Sequence, residues 1–158
     1  MMNKVWVSIG SNLSLPKIQV ITAIKELQKI RQTRLLKQSS LYETEPVGGV
    51  EQDNFINSVV LLETKFEPLA LLRELQSIEL SHDRVRLVRW GARTLDLDIL
   101  LYGDSVIDTV ELKIPHAEMH HRGFVLVPLA EISPELMIAQ SKVTDLALRY
   151  ADGITKLD

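Results

Sequence analysis

Phe55-Ile-Asn-Ser-Val-Val-Leu-Leu-Glu-Thr64 decides the fold. Its unbroken apolar patch Val59-Val-Leu-Leu62 and its β-branched content make it a strand. Downstream, Pro68 suits the first turn of a helix. Leu71 or Leu72, Leu75 and Ile78 then recur at helical spacing, and Gln76 and Glu79 share a neighbouring face. That helix is predicted to end near Ser81. After a long loop from His82 to Thr94 comes a strand, Leu95–Tyr102, stopped by the turn pair Gly103-Asp104. Upstream lie a second long loop, Glu43–Asn54, and a strand over Leu35–Tyr42. Before that strand, a helix opens at Pro16 and runs to about Arg31, with Ile18, Ile21, Ile24 (or Ala23) and Leu27 on its apolar face. The first strand is Lys4–Ile9, closed by the turn residues Gly10-Ser-Asn12.

Working outward from Phe55–Thr64 therefore gives the order β-α-β-β-α-β, that of a ferredoxin-like α+β antiparallel sheet with helices on one face. An extra C-terminal part follows: a hairpin from Val106 to Ile114, then short helices at Phe124–Ile132 and Val143–Tyr150, the first weakened by Pro128. We expect one domain over residues 1–158. Loops as long as the two here are uncommon in a compact domain unless they work.

The composition is that of an ordinary globular chain, 46% hydrophobic and 25% charged over 158 residues. The absence of cysteine excludes thiolate catalysis and cysteine-zinc sites, and a cytoplasmic location is expected. No apolar run approaches the roughly 18 residues of a membrane span. A net charge of −3 lacks the basic footprint of a nucleic-acid binder. The expected partners are small molecules, with no nucleic acid and no membrane, and the expected state is a monomer.

Alternate residues of a strand share a face, so Asp96, Asp98, Leu100 and Tyr102 point one way and Leu95, Leu97, Ile99 and Leu101 the other. Two acids about 7 Å apart suit magnesium, which takes one or two carboxylates together with water and substrate phosphates. The competing reading is a solvated acidic edge strand. Arg84, Arg86, Arg89 and Arg93 in the preceding loop favour the metal, because a magnesium polyphosphate needs both signs of charge close together. Trp90 in that loop is either a packing anchor or a lid for a flat ring. Phe55 and Asn57 share a strand face, either as a platform for a heterocycle or as an edge phenylalanine with a capping amide. His116, after Pro115, either donates to a phosphate or caps a turn. No Gly-x-x-x-x-Gly-Lys-[Ser/Thr], Gly-x-Ser-x-Gly or His-Glu-x-x-His is present.

Arg89-Trp-Gly-Ala-Arg-Thr-Leu-Asp-Leu-Asp-Ile-Leu100 resembles the signature of the 6-hydroxymethyl-7,8-dihydropterin pyrophosphokinases of the folate pathway. Gly10-Ser-Asn12, Tyr42-Glu-Thr-Glu-Pro-Val-Gly48 leading into Phe55-Ile-Asn57, Arg84-Val-Arg86, Pro115-His116 and Arg122-Gly-Phe124 join it in family order. The resemblance implies transfer of diphosphate from ATP to the pterin hydroxymethyl group, leaving AMP. It implies two Mg2+ ions on Asp96 and Asp98, catalytic arginines at Arg84 and Arg93, and phosphate contacts from Arg86, His116 and Arg122. Gln76, Glu79, Ile99 and Lys113 fall where the family approaches the nucleotide. Phe55 and Phe124 would sandwich the pterin, Asn57 and the backbone near Thr44 and Val47 would read its polar edge, and Trp90 would close over it.

Three places depart from the family pattern: Ala92 where proline is frequent, Asp83 where glycine precedes the first arginine, and Ala117-Glu118 after the histidine. The first two bear on loop stiffness, and the third removes a phosphate contact. A non-catalytic ferredoxin-like module binding a nucleotide or metabolite is the rival from another class. A two-metal nucleotidyltransferase or nuclease is the rival enzyme, and it calls for a third carboxylate beside the pair.

Overall fold

A computed structural model describes residues 2–13, 15–45, 54–83 and 94–157. The elements are β1 (Asn3–Ser11), α1 (Pro16–Gln28), β2 (Thr33–Gln38), β3 (Tyr42–Thr44), β4 (Phe55–Thr64), α2 (Pro68–Asp83) and β5 (Asp96–Tyr102). They continue with a hairpin of β6 (Ile107–Asp108) and β7 (Lys113–Ile114), a 3-10 turn at Met119–His121, and α3 (Gly123–Ile132). A hairpin of β8 (Met137–Ile138) and β9 (Ser141–Lys142), then α4 (Val143–Arg149) and β10 (Ile154–Lys156), complete the chain.

β4 lies inside the sheet, as its apolar run requires. It pairs antiparallel with β1 along its whole length, from Asn3↔Thr64 to Ser11↔Ile56, and β5 pairs antiparallel with the far side of β1. The sheet runs β10-β3-β4-β1-β5, with β2 also on β4. The predicted mixed helix and antiparallel-sheet architecture is observed. Among the described residues no helix is long and apolar enough to cross a membrane.

The strand expected over Leu35–Tyr42 is two strands. β2 pairs with the C-terminal half of β4 and β3 with its N-terminal half. Between them the Ser39 hydroxyl accepts the Val59 N–H at 2.9 Å and meets the Ser58 hydroxyl at 2.9 Å. A side chain thus takes a bond that a straight ladder would give to backbone, and the strand breaks there. The sequence Gly10-Ser-Asn12 is not a turn at Gly10, because Gly10 and Ser11 continue β1.

Helices cover both faces of the sheet rather than one. On the first face, Val5, Val7, Ile9, Val60, Leu62, Leu97 and Ile99 pack with Val20, Ala23, Ile24 and Leu27 of α1 and Leu71 and Leu75 of α2. The apolar stripe of α1 is rotated from the predicted one: Ile18 and Ile21 are exposed and Val20 takes the core position. On the second face, Trp6, Val59, Leu61 and Leu100 pack with Leu126 and Leu129 of α3 and Leu146 of α4. Trp6 Nε1–H donates to the Ser133 hydroxyl at 2.9 Å beneath α3. α3 stays helical through Pro128, which removes only the bond that the Phe124 carbonyl takes in a regular helix. Its first residue is a close contact, since a β-carbon on Gly123 would fall 1.9 Å from the Tyr150 carbonyl at the end of α4.

Strand alternation holds in β5 only as far as Ile99. The register with β1 shifts between Trp6↔Leu101 and Val7↔Ile99, leaving Leu100 as the extra residue of a bulge. Beyond it Tyr102 joins the first face and Leu101 the second, opposite to the prediction. Asp96, Asp98 and Leu100 precede the reversal and keep their common face.

Candidate active site

α3 and α4 cover the second face of the sheet only in part. Toward the other end of the same strands the inward positions turn from mainly apolar to mainly small or polar: Ser8 and Gly10 on β1, Thr44 on β3, Asn57 beside Phe55 on β4, Asp96 and Asp98 on β5. These residues, with Ile9, Glu45, Arg122 and Phe124, line a cleft holding about 200 Å3 of free space. Arg122 and Phe124 come from the start of α3, so the helix that seals the core at one end supplies a wall of the cleft at the other.

One rung of the sheet crosses the floor: Tyr42 pairs with Asn57, Asn57 with Gly10, and Gly10 with Asp96. At its β4 end, Asn57 is only 6% exposed and its Nδ2 has no hydrogen-bond partner among the described residues; the Thr44 hydroxyl is likewise buried and without one. Leaving buried polar atoms unpaired costs about 1–3 kcal/mol each, so two at one cleft are groups a bound ligand could partner. Phe55 and Phe124, both part-exposed, present phenyl rings to the same space. Arg122 stands over the Phe124 ring with its guanidinium carbon 5.7 Å from the centroid.

At the β5 end, Asp98 is exposed and Asp96 half-buried with interactions of its own. Among the described residues no cluster of three His, Cys, Asp or Glu side chains forms a metal cage. Two carboxylates open to a cleft fit magnesium held jointly with phosphate and water. The Glu79 carboxylate accepts the Leu97 N–H at 2.8 Å, between the two acids on the outer edge of β5.

His116 is held beside the pair by its backbone N–H, which donates to the Leu100 carbonyl at 2.9 Å. Burial pushes its pKa below the usual 6.5, against the opposing pull of the Asp98 carboxylate, and the Arg122 charge lowers it further. Its Nδ1 accepts the Glu118 N–H at 3.1 Å, which leaves the proton of the neutral ring on Nε2, as a donor.

Of the residues singled out in the sequence, Thr44, Phe55, Asn57, Asp96, Asp98, Arg122 and Phe124 converge on the cleft, and His116 feels the charge of two of them. Ile99 is 3% exposed and its side chain belongs to the first-face core, so only its backbone faces the strand edge. Gln76 accepts from Arg73 at 3.0 Å and Lys113 donates to Asp108 at 2.5 Å; neither lines the cleft. Val47, Arg84, Arg86, Arg89, Trp90, Ala92 and Arg93, and the side chain of Asp83, lie outside the described residues. Ser8, Gly10 and Glu45 line the cleft without having been singled out as site residues. Strand alternation brings Ser8 and Gly10 to the face of Asn57 and the aspartates once the register is known, while Gly10 and Glu45 stand in the sequence only as members of the quoted motifs.

The family model for 7,8-dihydro-6-hydroxymethylpterin-pyrophosphokinase matches residues 6–134. The chain belongs to this family. It is 46% identical over 148 residues to the 2-amino-4-hydroxy-6-hydroxymethyldihydropteridine pyrophosphokinase of Haemophilus influenzae, covering 93% of this chain and 92% of that one. Identity with the Bacillus subtilis pyrophosphokinase is 41% over 136 residues, 86% of this chain and 81% of the relative. Among solved structures, the wild-type Plasmodium falciparum HPPK-DHPS with pterin and p-hydroxybenzoate superposes with a TM-score of 0.72 at 17% identity, over 95% of this chain and 43% of that one. The A437G/K540E form gives 0.77 at 16% identity, over 99% and 47%. This chain therefore spans less than half the length of those proteins, and the likeness to them is one of fold. As a member of the pyrophosphokinase family the chain is an ATP-dependent diphosphotransferase of folate biosynthesis.

Proposed function

We propose that this pyrophosphokinase transfers diphosphate from ATP to the hydroxymethyl group of 6-hydroxymethyl-7,8-dihydropterin, with magnesium held by Asp96 and Asp98. The reading rests on one observation: a single cleft joins the Asp96–Asp98 pair to a buried amide and hydroxyl, without hydrogen-bond partners among the described residues, set beside two phenyl rings. A flat, polar-edged heterocycle answers the second group and a metal polyphosphate the first.

In this reading Phe55 and Phe124 flank the ring while Asn57 Nδ2 and the Thr44 hydroxyl meet its polar edge, joined by the backbone near Val47, and Trp90 closes over the ring. Asp96 and Asp98 would hold two Mg2+ ions, which would supply charge neutralisation for the triphosphate. Arg122 pairs with phosphate oxygens, and His116 donates to them from Nε2–H. Arg84, Arg86 and Arg93 counter the charge that builds as the pterin oxygen bonds to the β-phosphorus and the bond to the AMP oxygen breaks. Gln76, Glu79, Lys113 and the Ile99 backbone approach the nucleotide. The alcohol proton passes to bulk water or to a carboxylate as the oxygen attacks.

Incubation with ATP, magnesium and the reduced pterin tests the proposal. AMP and pterin diphosphate, formed only when all three are present and abolished by EDTA, are the expected products. ADP as the product, cleavage of nucleic acid, or turnover indifferent to chelation contradicts it. The binding-module rival requires binding of ATP and pterin with no turnover at all.

A further inference from the structure

Gly10 sits at the centre of the cleft floor, paired with Asn57 on one side and Asp96 on the other. Its backbone does not have the positive φ that demands glycine, so local conformation does not explain the residue. Space does. A β-carbon there would lie 2.7 Å from Asn57 Oδ1 and 3.8 Å from its Cγ, and among the described residues beyond its chain neighbours no other heavy atom falls within 4 Å. Among the described residues, the only group obstructed by a side chain at position 10 is therefore the amide whose Nδ2 is buried without a hydrogen-bond partner at the cleft.

We propose that Gly10 is a positioning residue for substrate recognition: its missing side chain lets the Asn57 amide lie flat over β1 and turn Nδ2 toward the pterin edge. This deepens the functional reading above and rests on it. Any side chain at position 10 pushes the amide off β1. The fold tolerates the shift, because the displaced group is the end of a side chain and not backbone, but the donor no longer meets the ligand.

Gly10→Ala provides the test, read by AMP formation at saturating ATP with the reduced pterin varied. Loss of one buried hydrogen bond to the ligand raises the pterin KM about tenfold. The KM for ATP, kcat and the melting temperature stay near their wild-type values. The Asn57 side-chain amide resonance of the ligand-free protein shifts in the variant. Because Gly10 acts through Asn57, the double variant Gly10→Ala/Asn57→Ala is no worse for pterin than Asn57→Ala alone. An active wild type with an unchanged pterin KM in Gly10→Ala overturns the proposal and leaves the functional reading intact, as does a Gly10→Ala penalty that adds in full to that of Asn57→Ala. A wild type that makes no AMP from pterin overturns the functional reading, and this proposal with it.

Discussion

Glu131, near the end of α3, ties the two walls of the cleft together. Its carboxylate accepts the Ser40 N–H at 3.0 Å, the Ser40 hydroxyl at 2.9 Å and the Tyr42 hydroxyl at 2.6 Å, with Lys156 at 4.0 Å. The partners lead into β3, which carries Thr44, while α3 carries Phe124 at its other end. In Glu131→Ala the Ser40 groups turn to water, at about 0.5–1.5 kcal/mol for each net bond lost. Tyr42 is 5% exposed, so its stranded hydroxyl costs about 1–3 kcal/mol more. Allowing for relaxation, the variant loses about 2–4 kcal/mol, roughly 5–15 °C in Tm for a chain of this size. Glu131→Gln keeps an acceptor and loses about half as much.

The same cluster gives a pH signature. Burial pushes the Glu131 carboxyl up, but bonds from Tyr42 and Ser40 and the Lys156 charge outweigh it, leaving the pKa below the usual range. A depressed folded value means the stabilisation is complete above the unfolded carboxyl pKa of about 4.3 and is lost as pH falls through the folded value. Urea unfolding followed by circular dichroism therefore separates wild type from Glu131→Gln at pH 7, and the gap narrows as pH falls below the unfolded carboxyl pKa of about 4.3. A double-mutant cycle with Tyr42→Phe gives a coupling of about 1–2 kcal/mol at pH 7. Additive losses, or a gap unchanged at low pH, refute the role of this carboxylate as a clamp.

Asp98→Asn lowers magnesium-dependent diphosphate transfer by about a hundredfold or more through loss of a metal ligand, and leaves Tm within about 2 °C because the side chain is exposed; steady-state kinetics and a thermal melt check both. In the same variant the His116 pKa, already depressed by burial, falls further because the Asp98 carboxylate that raises it is gone. An NMR titration of the ring reads this, and an upward movement contradicts the placement. Trp6→Phe strands the Ser133 hydroxyl beneath α3 and shrinks the second-face core, for about 2–3 kcal/mol in urea unfolding.

Phe55–Thr64 was legible to the residue because a buried strand with apolar residues on both faces leaves an unbroken run in the sequence. α1 and α2 begin at Pro16 and Pro68, as expected, where the fixed φ of proline suits a first turn. The break at Ser39 was not legible, since it depends on which hydroxyl meets Val59 across the sheet, a long-range fact. Nor was the bulge at Leu100, which reverses Leu101 and Tyr102 through register with β1 alone. Asp96 and Asp98 could be paired from alternation because they precede it. Gly10 was misread as punctuation, since glycine after an apolar run signals a turn by composition while its use here is spatial. The second layer of helices was unforeseen as a layer because α3 is apolar nearly all round, and such a segment does not announce which surface it will cover.

The rung Asn57–Gly10–Asp96 acts as a ruler. Asn57 and Asp96 are separated by one intervening strand, so their backbones stand two interstrand spacings apart, about 9.5 Å. That length belongs to the hydrogen-bonded ladder and not to any side chain. Substitutions can change the side chains at either end while the span between the two positions stays fixed. Changing the span itself would require β1 or β4 to slip in register, and a shift of one residue would turn every inward side chain of that strand to the opposite face. If the proposed function holds, the distance over which an alcohol at one end meets a phosphorus at the other is thus protected by the whole core of the sheet.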